Sequence, residues 1–276
     1  VGETGYDRRR LSYAGTFADP VRAAIVAGIE AATGKLHLSR LIRRFEAMGV
    51  PDGQAFWQQA LEVMGIALTT PPDEIARIPA QGPLVVVANH PHGLVDGMVL
   101  AELVGRRRLD YRILTRALLT GVGEIDRFMI PVPFAHDPDA QARNLAMRRV
   151  AMMHLDSGGT IILFPAGSVA ASPGWWSPAV EAVWNPFTAK LIQRSGAQVV
   201  PVRFTGQNSR WYQIANRVSP VLRQGLLLHE VVHALGRPQR PVVGHTVDPA
   251  HIAAMEGDPR GFMAWLRDLT LSLDGA

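Results

Sequence analysis

The period of the hydrophobic pattern changes near residue 70. Upstream, apolar residues recur at helical spacing: Leu38, Leu41, Ile42 and Phe45 stand at i, i+3, i+4 and i+7, with Lys35, Arg40, Arg43 and Arg44 on the remaining surface. Before them, "DPVRAAIVAGIEAATG" opens with Asp19 as N-cap and Pro20 in the first turn, and its pattern predicts a stop at Gly34. A third helix is expected from Gly53 to Gly65, followed by the "TTPPDE" break.

Beyond the break, short β-branched runs alternate with helical stretches. The strand candidates are "PLVVVAN" (83–89), "YRILTR" (111–116), "RFMIPV" (127–132), "TIILFP" (160–165), "QVVPVRF" (198–204) and "PVVGHTV" (241–247). Helical patterns at Gln141 to Asp156 and Pro186 to Ser195 fall between them. The expected class is α/β, a mostly parallel or mixed sheet flanked by helices, with an N-terminal helical segment. The expected division is a basic, helical, membrane-docking segment over 1–70 and an α/β domain over 71–276.

Composition narrows the chemistry. Hydrophobic residues make up 47% of the 276, ample for a core, and the absence of cysteine excludes disulfides and thiolate metal sites. No stretch reads as a signal peptide or a membrane span. The net charge is +4, and all cations but Lys35 and Lys190 are arginine, clustered at Arg8–Arg10, between Lys35 and Arg44, and at Arg106–Arg108. No aromatic-interleaved basic motif of a nucleic-acid reader accompanies them, so an anionic membrane surface is the expected partner, not nucleic acid. The basic amphipathic helix has two readings, a solvated face over a core or a membrane anchor.

The first chemical motif is "VVVANHPHGLVDG", a buried strand, a tight loop and a helix start. Catalytic groups gather at such strand C-terminal ends. His90 sits at the strand exit, Gly93 permits the turn, and Asp96 falls at the next helix. A carboxylate that accepts from one ring nitrogen fixes the histidine tautomer and leaves the other nitrogen free to take a proton. The spacing equally suits a loop histidine beside a helix-capping aspartate.

Four blocks in order give that motif a context. "NHPHGLVDG" resembles the His-x4-Asp motif of the lysophospholipid (glycerolipid) acyltransferase superfamily, the 1-acylglycerol-3-phosphate acyltransferase-like enzymes. It looks most like the variant of the ornithine-lipid and hemolysin-like branch, in which the aspartate falls one place later. "FPAGSVA", Phe164 to Ala170, is similar to the family's FPEGTRS block, "VVPVRFTGQNS" to its VPV strand, and "GEIDRFMIPV" stands where its Gly-x-x-Phe-Ile-x-Arg block falls. The resemblance covers roughly residues 80 to 210. It implies acyl transfer from an acyl carrier protein or coenzyme A thioester to the hydroxyl of a lyso-lipid, without metal or other cofactor, at the cytoplasmic membrane face. His90 becomes the base and Asp96 its orienter; His92, four residues before Asp96, competes for the base role. Asn89, Gly93, Phe164 and Pro165 would line the substrate site, and Gly167 and Ser168 would offer oxyanion amides.

Two departures bear on the acceptor. Ala166 and Val169 replace the family's glutamate and arginine, and "MIPVPF" lacks the arginine that ends the preceding block. Those arginines belong with the acceptor's phosphate in phosphatidate-making members, as bidentate contacts require. A lyso-aminolipid of the ornithine-lipid kind therefore fits better than lysophosphatidic acid, with Arg116 and Arg203 left as possible anion contacts.

Two further features compete for attention. "ASPGWWSPAVEAVWNPF" clusters Trp175, Trp176 and Trp184, readable as core plugs or as a headgroup-level lid. "LLLHEVVHALG" carries HExxH in His229, Glu230 and His233, the pattern of a zinc protease, within a helix expected from Pro220 to Gly236. The histidine a metzincin needs three residues after Gly236 is Gln239 here, which leaves Glu256 without the usual downstream signature and His245 and His251 as loosely placed third ligands. The same helix also reads as amphipathic, with Val221, Leu228, Val231, Val232 and Leu235 inward and Arg223 and Glu230 on the opposite side. A catalytically dead lipid-binding relative is the remaining alternative; its mark would be a broken His–Asp pair, and here the pair is intact.

Overall fold

The computed structural model describes residues 11–115, 122–133 and 139–274. Three helices come first: α1 (Pro20–Glu30), α2 (Leu36–Ala47) and α3 (Ala55–Val63). Asp19 caps α1 by accepting the Val21 amide, with Pro20 at the first helical position. Gly34 does not end this helix. A π-helical turn, Ala31–Lys35, carries it directly into α2. The glycine serves close packing instead: a Cβ there would lie 3.0 Å from the backbone carbonyl of Leu228.

The short α4 (Pro72–Ile75) leads into the sheet: β1 (Leu84–Ala88), β2 (Tyr111–Thr115), β3 (Met129–Pro131), β4 (Thr160–Leu163), β5 (Gln198–Arg203) and β6 (Val242–Val243). The spatial order is β3-β2-β4-β1-β5-β6. The first five are parallel and β6 runs antiparallel to β5. All six strand patterns in the sequence thus become strands of one mixed sheet. The helices between and after them are α5 (Leu94–Gly105), α6 (Ala140–Asp156), α7 (Pro186–Ser195), α8 (Arg210–Val218), α9 (Pro220–Gly225), α10 (Leu227–Ala234), α11 (Pro249–Ala254) and α12 (Pro259–Leu271).

The sheet separates two apolar cores, because alternate residues of a strand face opposite ways. Leu84, Val86 and Ala88 join α2, α3, α5 and α10 on one side. Val85 and Val87 join α6, α7 and α12 on the other. Central β1 is buried on both faces, which explains its unbroken apolar run. Each such side chain stabilises the fold by roughly 1.5–3 kcal/mol.

The helical segment contributes to this core. Leu38 and Phe45 of α2 are buried against it, while Arg40, Arg43 and Arg44 face solvent. Among the described residues, no helix is long and apolar enough to cross a membrane.

Candidate active site

The sheet's winding makes the crevice. From β1 the chain crosses through α5 toward β2; from β4 it crosses through α7 toward β5, over the opposite face. The loops leaving these adjacent strands therefore diverge, and a cleft opens at their C-terminal ends. Asn89 closes the floor: its amide donates to the Phe204 carbonyl at 2.9 Å and accepts the Phe204 N–H at 2.7 Å, which ties the end of β1 to the end of β5. Both polar atoms of Asn89 are thereby engaged in structure.

Gly93, at φ 75° and ψ −125°, turns the chain into α5 and places Asp96 in its first turn. A side chain could not adopt that backbone readily, and a Cβ would also press on Val169 at 3.3 Å. Asp96 is fully buried and accepts the N–H groups of His92 (2.7 Å) and Gly93 (3.1 Å), within the positive end of the helix. The His90 Nδ1 lies 3.1 Å from one of its oxygens, and the His92 Nδ1 lies 3.0 Å from the other. One carboxylate thus holds two imidazoles by the same ring nitrogen. With Nδ1–H donating, each ring presents Nε2 as the free base.

The electrostatics follow from burial against charge. Burial pushes the Asp96 pKa up, but His92 and the hydrogen bonds of both rings outweigh it and hold the carboxyl below its usual range. Burial likewise disfavours the imidazolium of His92, yet the charge and hydrogen bond of Asp96, with Glu230 farther off, raise its pKa above the ordinary value. The Nε2 side of His92 lies against Gly206, where a Cβ would approach to 2.9 Å.

The turn after β4 wraps His90. Phe164 stacks on its ring with centroids 4.0 Å apart, and the Ala170 N–H donates to the His90 carbonyl at 2.8 Å. The Pro165 carbonyl accepts the Asn185 amide. Gly167, at φ 66°, donates its N–H to the Phe164 carbonyl at 3.0 Å. That amide closes the turn and is not open to an oxyanion, contrary to the expectation from sequence; Ser168 stands exposed in the same turn.

Sequence reasoning missed Glu181. Its buried carboxylate accepts the His90 N–H at 3.1 Å and the Trp184 indole N–H at 3.0 Å, and burial pushes its pKa up. A signal was available, since Glu181 is the single acidic residue between Asp156 and Glu230. Gly206 was missed as well, because a glycine's close approach to a side chain leaves no mark in a single sequence.

The other proposed contacts part company with this centre. Arg203 donates to the Leu273 carbonyl (2.6 Å) and pairs with Asp274 (3.0 Å) at the C-terminal end of the chain. Arg116 lies outside the described residues. Trp184 is a core plug, while Trp175 and Trp176 are exposed.

The HExxH residues are built into structure. The helix breaks at Leu226 into α9 and α10, and Glu230, expected on the solvent side, is buried. It accepts the backbone N–H and the hydroxyl of Ser209, each at 2.6 Å, and Ser209 in turn caps α8. The His233 ring nitrogens lie 3.3–3.5 Å from the Arg237 guanidinium, and the two histidine rings are 6.4 Å apart. Among the described residues, no group of three or more histidine or acidic side chains is placed to hold a metal.

A family model described as "Acyltransferase" matches residues 41–238. A lyso-glycine lipid O-acyltransferase of Phocaeicola vulgatus is 29% identical over 145 residues, 51% of this chain. The match spans 49% of that relative, about half its length. Among solved structures, the 1-acyl-sn-glycerophosphate (LPA) acyltransferase PlsC of Thermotoga maritima is similar at a TM-score of 0.49 and 16% identity, over 80% of each chain. The family match runs from α2 through α10 and takes in His90, Asp96, the Phe164 turn and Glu181. The chain therefore belongs to this acyltransferase family, within the glycerolipid acyltransferase superfamily.

Proposed function

We propose that this chain O-acylates a lyso-lipid, taking a fatty acyl group from an acyl carrier protein or coenzyme A thioester. The observation that carries the reading is the His90–Asp96 contact through Nδ1, with no hydrogen-bond partner for Nε2 among the described residues. His90 Nε2 removes the proton of the acceptor hydroxyl, and the oxygen attacks the thioester carbonyl. The tetrahedral intermediate collapses with cleavage of the carbon–sulfur bond, and the departing thiolate takes the proton back from His90. Buried Asp96 stabilises the imidazolium between the two steps. Ser168 supplies an amide toward the oxyanion.

An apolar cavity lined by Leu38, Leu41, Phe45, Leu94, Met98 and Val231 suits an acyl chain. Leu94 directly follows Gly93, so this cavity begins beside the catalytic loop. For the acceptor, Ala166 and Val169 offer nothing to a phosphate, and Arg203 is engaged with the chain's C-terminal end. The relative named for a lyso-glycine lipid supports an acceptor of the lyso-aminolipid class, glycine- or ornithine-headed. Such an enzyme works peripherally on the membrane face that meets its thioester donor, the cytoplasmic one.

The test is acyl transfer read by lipid mass spectrometry, with one thioester donor offered to a lyso-aminolipid and to lysophosphatidic acid. Product from the aminolipid, lost in His90→Ala, is expected. Preference for lysophosphatidic acid would move the reading to phosphatidate synthesis, and transfer that survives His90→Ala would overturn the mechanism.

A further inference from the structure

Between Asp156 and Glu230 the only acid is buried Glu181, while Lys190, Arg194, Arg210, Arg217 and Arg223 all fall in this stretch. The same stretch holds the three most exposed tryptophans: Trp175 at 51%, Trp176 at 78% and Trp211 at 70%, with Val180, Val183 and Val218 exposed beside them. Tryptophan is costly to leave in water, and such residues amid cations, with no exposed acid in the same stretch of chain, mark an interaction surface.

The loop residues and the α8 residues among them form one surface. The chain from Ala171 to Val180 is a loop closed at its neck by a backbone pair, Ala171 N–H to Val180 carbonyl at 3.2 Å and the reverse at 3.0 Å. The loop lies on α8: Ser172 donates to Gln213, Arg210 reaches the Ser177 carbonyl, and Arg217 reaches the Pro173 carbonyl at 2.8 Å. The Arg217 guanidinium also sits 5.9 Å from the Trp175 ring. Arg210 and Arg217 are seven residues apart, as are Trp211 and Val218. The arginine row therefore runs between the loop and the Trp211–Val218 stripe.

We propose that this loop and the exposed face of α8 dock the protein on an anionic bilayer. Indole rings settle at headgroup depth, and arginines beside them gain from an anionic lipid surface. The apolar face of α2 is not the docking element, because it is packed into the core. The surface is also joined to the chemistry. The residues next to the neck pair, Ala170 and Glu181, hold the carbonyl and the N–H of His90. Docking the tip thus fixes the backbone of the histidine that acts on the lipid, a step that rests on the proposed role of His90.

The experiment measures partition of the whole chain onto phosphatidylcholine vesicles with and without phosphatidylglycerol, by sedimentation and by tryptophan quenching with brominated lipid. Trp175→Ser with Trp176→Ser and Trp211→Ser should lower partition on the order of tenfold or more, while Arg210→Gln with Arg217→Gln should remove the preference for the anionic vesicles. Arg40→Gln with Arg43→Gln and Arg44→Gln should shift it by less than about twofold. Circular dichroism and a thermal melt check the fold, and if the serine variant is unfolded the arginine variant decides. Acyl transfer to detergent-dispersed acceptor should survive in the tryptophan variant and fall only on vesicles. Partition unchanged in both variants would overturn the proposal. So would vesicle-free binding of an acyl carrier protein that the same tryptophan changes abolish while partition persists. Wild-type partition without acyl transfer would reject the enzymatic reading and leave the docking surface standing.

Discussion

The two histidine motifs carry the same kinds of side chain, an acid between or beside imidazoles, and differ in what each acid does. Asp96 directs both oxygens at the rings of His90 and His92 and at the amides of its own loop. Glu230 turns its carboxylate to Ser209 on another helix and leaves His229 and His233 without it. Chemistry needs an acid aimed at a base whose far nitrogen is open. Stability needs only that a buried acid be satisfied. The position on the fold decides which is built: the first motif exits a central parallel strand at the winding switch, and the second lies on a helix packed against α1, α2 and α5.

The largest effect that can break this contrast is on rate. His90→Ala should lower kcat/KM by about 10²–10⁴-fold, the usual contribution of a placed general base. His229→Ala and His233→Ala should stay within about twofold of wild type. Steady-state kinetics with a lyso-lipid acceptor reads all three. A comparable loss in His229→Ala would erase the distinction between the motifs.

Next comes a stability effect confined to the second motif. Glu230→Gln keeps the shape but weakens two short bonds to Ser209 and the capping of α8. The expected cost is about 1–2 kcal/mol in chemical denaturation, with kcat little changed in the folded fraction. Unaltered stability would mean that Glu230 is not the structural acid described here.

Much of this was legible in the sequence, for identifiable reasons. The central strands β1 and β4 could be found because parallel strands buried on both faces read as unbroken apolar runs, and α7 could be bounded by Pro186 and Gly196. The pairing of His90 with Asp96 was legible because strand, turn and helix start are consecutive in the chain. Gly34 misled, since its role is a close approach to Leu228, far away in sequence. Glu230 misled for a related reason: helical periodicity places a residue on a face, but whether that face is interior depends on distant parts of the chain, here Ser209 at the start of α8. Glu181 and Gly206 reach the histidines from loops after β4 and β5, and no local pattern announces such contacts.

The smallest effect sharpens the comparison through pH. The pKa of His92 is raised in the fold, so its charged partnership with Asp96 stabilises fully below the ordinary histidine value of 6.5 and is lost as pH rises through the folded value. The Asp96 pKa is lowered, so its share is present above 3.8 and is lost as pH falls through the folded value. Both contributions coexist between 3.8 and 6.5. His92→Gln should therefore destabilise most in that window and progressively less toward alkaline pH. His233 runs the other way. Burial and then Arg237 lower its pKa, so the folded chain resists protonating it and stability falls as pH drops through 6.5. His233→Gln should thus gain on wild type as the solution is acidified. Denaturation midpoints across that range read both slopes, and slopes of the same sign would show that the two histidines do not sit in opposed electrostatic settings.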